Sequence, residues 1–183
     1  MRASTSTSTT LTMLLLFVMG IAGCSPKPSY VVQKIEDGDT IVIKIDGKSQ
    51  RIQLAGIDAP EDTENPKFKL DLKTKDINEV DLLGIGQAAT TFLKSQLAAG
   101  EKVTFQQQLG KADKYGRIPA NVLLHNDSLN LRMVQQGYAV VLNRYPLEPS
   151  FKASLENAQK MARNNKQGLW KTHSEIMEKW SKL

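Results

Sequence analysis

Residues 30–35 and 41–45 are rich in β-formers, and Ile41, Ile43 and Ile45 alternate with Val42 and Lys44. A period of two is that of a strand. Between the two runs, Glu36-Asp37-Gly38-Asp39-Thr40 has the composition of a turn. Asp46-Gly47 is a hairpin signal. Residues 51–57 form a third strand, with Ile52 and Leu54 on one face and Arg51 and Gln53 on the other. Residues 58–85 are irregular and charged, apart from 68–73, whose alternation predicts a small strand or hairpin. The period then changes. Ala89, Phe92, Leu93 and Leu97 share one face of a helix over 87–99, with Gly100 as its C-terminal cap. Residues 102–108 and 118–124 read as strands four and five. A short helix over 129–136 lies between Ser128 and Gly137. A third helix over 151–163 carries Phe151, Leu155, Ala158 and Ala162 as its stripe. Trp170 packs back on the body; nothing in the pattern assigns Trp180 such a place, and 166–183 reads as a partly ordered extension. Three strands, a helix, two strands and two helices fit a small α+β unit. The sheet is either a closed or partly open barrel, which protects its edges, or an open sheet.

Composition narrows the class. The 183 residues are 40% hydrophobic and 23% charged, with 12 Gly and 7 Pro. Such a chain can bury a core, which excludes disordered, collagen-like and low-complexity proteins. One cysteine, Cys24, excludes a disulfide scaffold. The net charge of +5 and pI of about 9.3 suit a polyanionic partner.

The N-terminus reads as an address. Arg2 is the one charge in residues 1–10, an apolar run follows over 11–21, and Ile21-Ala22-Gly23-Cys24 supplies small residues before the cysteine. This is the layout of a secretory signal, and its apolar run is too short to span a bilayer. The tetrapeptide resembles the bacterial lipobox, which implies that residues 1–23 are removed and Cys24 is lipidated. Ser25 rather than Asp then favours the outer membrane. Acyl chains anchor stably, and residues 24–29 would be the lipidated Cys and its tether. Removing residues 1–23 takes away Arg2 and no acid, so the charge falls only from +5 to +4.

Candidate chemistry lies at strand ends. Asp39 follows strand one, Asp58 follows strand three, and Glu61 lies three residues on. If those strands are neighbours, the carboxylates converge, and hard oxygen donors suit Ca²⁺ or Mg²⁺. His125 and His173 are remote in sequence, which argues against zinc. Arg117, in Asp113-Lys114-Tyr115-Gly116-Arg117 before strand five, offers a bidentate fork for phosphate. Singly, each of these is an ordinary turn. Together they suggest metal-assisted phosphodiester cleavage.

Asp37-Gly38-Asp39-Thr40, Leu54-Ala55-Gly56-Ile57-Asp58-Ala59-Pro60-Glu61 and Asp113-Lys114-Tyr115-Gly116-Arg117 resemble the three signatures of the staphylococcal nuclease (thermonuclease) family, in order and approximate spacing. Gly137-Tyr138-Ala139 and Gln167-Gly168-Leu169-Trp170 extend the likeness over about residues 30–170, leaving 171–183 as an extension. The resemblance implies an OB-fold, a five-stranded Greek-key barrel with three helices. It implies Ca²⁺-dependent endonuclease cleavage of DNA and RNA to 3′-phosphate ends. By motif, Asp39, Asp58 and the carbonyl of Ala59 bind calcium, Glu61 is the general base, and Arg117 stabilises the transition state. Lys114 and Tyr115 touch substrate phosphate, and Tyr145 lies near a base, where stacking is sequence-tolerant.

The chain also departs from the pattern. The family has a second catalytic arginine five residues before the motif Asp; here that position is Gln53. Loss of such a charge-assisted contact costs roughly 2.7–4 kcal/mol by analogy with an oxyanion donor. Arg51, two residues earlier on the same strand face, is either its surrogate or a barrel-surface residue. Asn143 replaces another base-pocket aromatic, and the segment after Glu61 is long. Three functions are compatible with these residues: a lipid-anchored, calcium-dependent nuclease acting as a monomer, a nucleic-acid-binding barrel that has lost catalysis, and a structural envelope lipoprotein.

Overall fold

A computed structural model describes residues 27–142 and 146–182. Cys24 with its lipobox, Asn143 and Tyr145 lie outside the described residues. Strands β1 (Tyr30–Ile35), β2 (Thr40–Ile45) and β3 (Lys48–Leu54) form an antiparallel sheet. The β2–β3 hairpin turns at Asp46 and Gly47, both at positive φ (48° and 80°), which a two-residue turn of this hand requires. Pairing slips once between β1 and β2, from Val32↔Ile43 to Lys34↔Val42, and the extra residue on β1 adds twist. Strand β4 (Ile57–Asp58) stands apart and pairs antiparallel with β9 (Val140–Val141). Strand β5 (Lys102–Phe105) takes the other edge of β1.

The predicted fifth strand is divided. Asn121 separates β6 (Arg117–Ala120), parallel to β3, from β7 (Val122–Leu124), antiparallel to β5. With β8 (Asp127–Ser128), the order is β6-β3-β2-β1-β5-β7-β8. A plain five-strand meander is thereby corrected: one segment borders both sides of the sheet, so the sheet must wrap. Its hydrogen-bond ladder is not closed: β6 and β7 follow one another along the chain but pair with different strands, leaving a break at Asn121. Buried Asn130 bonds across that break. Its Oδ1 accepts from the N–H of Val122 at 3.0 Å, and its Nδ2 donates to the carbonyls of Ala55 at 2.9 Å and Ala120 at 3.0 Å.

The helices need further corrections. Residues 68–73 are not a strand but lie in helix α1 (Pro66–Thr74). Asn65 caps it by accepting from the N–H of Phe68 at 2.9 Å, and Pro66 occupies the first turn. The alternation misleads because Leu70 is 57% exposed, while Phe68 and Asp71, three apart, face inward. Helix α2 (Glu79–Gln96) starts eight residues before the predicted onset, at an Asn78 cap. Then follow α3 (Leu129–Gln135), α4 (Pro149–Asn164), α5 (Leu169–Thr172) and α6 (Ser174–Trp180), six helices among the described residues rather than three. The sheet encloses one core, including Val32, Ile41, Ile43, Ile52, Leu54 and Val103. A second, helical core joins Phe68, Leu82 and Ile85 to Trp170, Met177 and Trp180. Trp180 is only 1% exposed, so the tail helix is part of the body. None of the described helices is long and apolar enough to cross a membrane.

Candidate active site

The loop between β1 and β2 folds on its own aspartates. The Asp39 N–H donates to Asp37 Oδ1 at 3.0 Å, an Asx-type turn. The Asp39 carboxylate then accepts from Thr40 Oγ1 at 2.9 Å and, across 20 residues, from the N–H of Ala59 at 3.2 Å. Asp39 thus lies against the residue that follows Asp58, and both aspartates are buried. Gly38 permits the approach: a Cβ there would lie 2.8 Å from that of Ala59 and 3.0 Å from that of Ala89 on α2. Gly86 does the same for the Glu61 carbonyl, 1.9 Å from where a Cβ would be.

Glu61 and Asp58 are held from α1. Asn65 Nδ2 donates to Glu61 Oε2 at 2.5 Å. The Lys67 ammonium lies 3.4 Å from Asp58, 3.5 Å from Glu61 and 2.9 Å from Asp71. Burial pushes Asp58 up to about 7, Lys67 opposes the shift, and Asp39, Asp71 and Glu61 reinforce it. Burial also raises Glu61, against Lys67 and Asn65. Asp37 is raised well above the usual range by burial and by Asp39. Burial works against the Lys67 ammonium, but Asp58, Glu61 and Asp71 outweigh it and raise its pKa. Four carboxyl groups, Asp39, Asp58, Glu61 and Asp71, thus act on one another around a single ammonium, that of Lys67.

The donor set is all oxygen, which fits a hard divalent cation and not zinc. Among the described residues, no three His, Cys, Asp or Glu side chains form a finished metal cage. Asp39, Asp58 and the carbonyl of Ala59 would have to be completed by substrate or water, which such ions commonly retain.

The basic half is made locally. Asp113 Oδ1 accepts from the N–H groups of Tyr115 at 2.8 Å and Arg117 at 2.9 Å, with Gly116 at φ 75° in the turn. Asp113 Oδ2 receives Arg117 Nε and Nη2, both at 3.2 Å. Slight burial works against the Asp113 charge, but these N–H groups and the guanidinium hold its pKa below the usual carboxylate range. Tyr115 is exposed, with Lys114 Nζ 5.0 Å from its ring centroid and the Arg117 guanidinium carbon 5.4 Å from it.

Strand register relates the two halves. Thr40, Gln53 and Pro119 form one rung across β2, β3 and β6, and Val42, Arg51 and Arg117 the rung two residues along. Equal parity puts both rungs on one face. Gln53 is buried. Arg51 donates to Glu36 from Nε at 3.0 Å and Nη2 at 2.5 Å, and from Nη1 to the Tyr115 carbonyl at 3.2 Å. Arg51 therefore ties the acidic loop to the arginine turn, a role that strand parity alone did not reveal. Lys67, Asn65 and Asp71 also escaped the sequence reading. Asn65-Pro66 as a helix start, with Lys67 and Asp71 one turn apart, was the available signal.

The model of the family described as staphylococcal nuclease homologue matches residues 51–172. The thermonuclease of Staphylococcus intermedius is 32% identical over 142 residues, 78% of this chain and 76% of that protein. The thermonuclease of Staphylococcus hyicus is 30% identical over 142 residues, 78% of this chain and 75% of its own length. An uncharacterized endonuclease of Haemophilus influenzae is 33% identical over 168 residues, 91% of this chain and 80% of that protein.

Proposed function

The chain belongs to the staphylococcal nuclease homologue family, and from that premise we propose that it is a calcium-dependent endonuclease that cleaves DNA and RNA to 3′-phosphate ends. The observation carrying this reading is the Asp39 carboxylate against the N–H of Ala59, beside Asp58, in a corner where carboxyl groups outnumber cations. Asp39, Asp58 and the Ala59 carbonyl would hold the ion, which when bound supplies Lewis-acid polarisation of a phosphoryl oxygen. Glu61 takes the proton of the attacking water; its raised pKa makes it a better base near neutral pH. Attack at phosphorus breaks the P–O5′ bond, leaving a 3′-phosphate and a 5′-hydroxyl. Arg117, oriented by Asp113, donates to phosphate oxygens as their charge grows. Lys114 and Tyr115 contact the neighbouring phosphate, and Tyr145 stacks on a base. Gln53 offers a neutral donor where a family arginine would be charged.

We read the wrapped sheet as the family's OB-type Greek-key barrel, counting 117–124 as one bent strand. Its support is that β6 and β7 border opposite sides of the sheet. We assign the protein, as a monomer, to the bacterial outer membrane, anchored by lipid on Cys24.

The deciding experiment incubates the purified protein with DNA and with RNA. Digestion that needs Ca²⁺ and stops with a chelator is expected; no digestion at high protein concentration overturns the reading. Gln53 favours a second reading, a nucleic-acid-binding barrel without catalysis. Salt-sensitive binding of single strands with no cleavage would establish it instead.

A further inference from the structure

Lys67 projects from α1, the helix in the long segment after Glu61, into the acidic corner. Helix α1 is fixed by the Asn65 cap and by Phe68 in the helical core, so the ammonium is delivered by a rigid element. It touches Asp58 and Glu61 at 3.4 and 3.5 Å. Its shortest contact, 2.9 Å, is to Asp71, one turn along the same helix. Asp71 also accepts from Trp180 Nε1 at 3.4 Å, and the ammonium lies 5.6 Å from the centroid of the Trp180 ring. Lys67 thus has two sets of partners side by side. One is the pair of acids at the catalytic corner; the other is Asp71 and the indole face, which belong to the helical core. Moving from the first to the second requires side-chain rotation only.

We propose that Lys67 is a tethered counter-ion that competes with a divalent cation for Asp58, beside Glu61, and so sets how tightly the corner holds that cation. The inference rests on the metal-site reading above. Without metal, the ammonium compensates carboxylates that would otherwise be buried against one another. When a divalent ion enters, like-charge repulsion drives the ammonium onto Asp71 and Trp180. Lys67 is a positioning residue in this scheme: it touches no substrate and acts through the acids it pairs with.

Calorimetric titration of Ca²⁺ into the purified protein, without nucleic acid, tests this. Lys67→Met keeps the alkyl stem and removes the charge; about tenfold tighter binding is expected, equivalent to about 1.4 kcal/mol. It should also melt at lower temperature in chelator and gain more from calcium than the parent does. Unchanged or weaker binding in Lys67→Met overturns the proposal, since a lysine that merely props Glu61 would give weaker binding. Should that variant fail to fold, a Trp170→Phe chain with Lys67 intact provides the second reading. Its remaining indole, Trp180, must change emission with the midpoint of the binding heat, and a silent indole overturns the proposal. Asp58→Asn separates the two claims. If the parent binds calcium and Asp58→Asn does not, the site stands and the Lys67→Met ratio alone decides the role of Lys67. If the parent takes up no calcium, the metal site is refuted and the role of Lys67 falls with it.

Discussion

In the acidic corner, the Asp39 carboxylate reaches the N–H of Ala59, 20 residues away, and Lys67 reaches Asp58 from a separate helix. In the arginine turn, Asp113 binds N–H groups no more than four residues from itself. The first arrangement exists only when two hydrophobic cores meet; the second is a turn that organises its own arginine. The corner is therefore exposed to damage anywhere in the helical core, and the turn is not. Their acids also differ. Burial pushes Asp58 up, while hydrogen bonds hold Asp113 down.

The harshest way to break this contrast is Trp180→Ala. It hollows the helical core and should cost about 3–5 kcal/mol of stability in denaturant unfolding. Calcium affinity should fall with it, while the Asp113–Arg117 turn keeps its hydrogen bonds, as amide chemical shifts of Tyr115 and Arg117 would report. Arg117→Ala is the converse. Its cleavage rate should drop about 10²–10³-fold, with calcium binding little altered; a rate within threefold of the parent would remove Arg117 from the chemistry.

Acidity gives the next contrast. The native state keeps a proton on Asp58 up to about pH 7, where an unfolded aspartate has lost it. Its contribution is thus fully present below the unfolded pKa and disappears as pH rises towards 7, on the order of a few kcal/mol. Asp113 has the opposite sign: its contribution is present above the unfolded pKa and is lost as pH falls through its lowered native value. Unfolding of the metal-free protein across pH 4–8 should show the first trend, and Asp58→Asn should flatten it. Arg163→Ala should do least. Its ion pair with Glu178 is exposed on both sides, so a loss of no more than about 1 kcal/mol is expected from melting curves.

Legibility in the sequence followed the range of the cause. The alternating isoleucines of β2 and the Asp46-Gly47 turn were readable because strand and hairpin preferences are local. The helix at α1 was not, since Phe68, Leu70 and Leu72 alternate like a strand while the Asn65 cap and the second core select helical spacing. Trp180 carried no local sign of burial, because its partners, Phe68 and Asp71 among them, lie about a hundred residues earlier. Asp39, Asp58, Glu61 and Arg117 could be nominated from their motifs, but Lys67 belongs to no motif.

The sequence alone determined the kinds of group available: oxygen donors at two strand ends, an arginine at the end of a turn, and a neutral amide at position 53. Tertiary structure decided which of them meet. It set Asp39 beside Asp58, engaged Arg51 with Glu36 and aimed Lys67 at the acids. A side chain's chemistry is fixed by its covalent structure, but its neighbours are fixed by packing between distant segments. In this protein the acidic corner lies where those segments join.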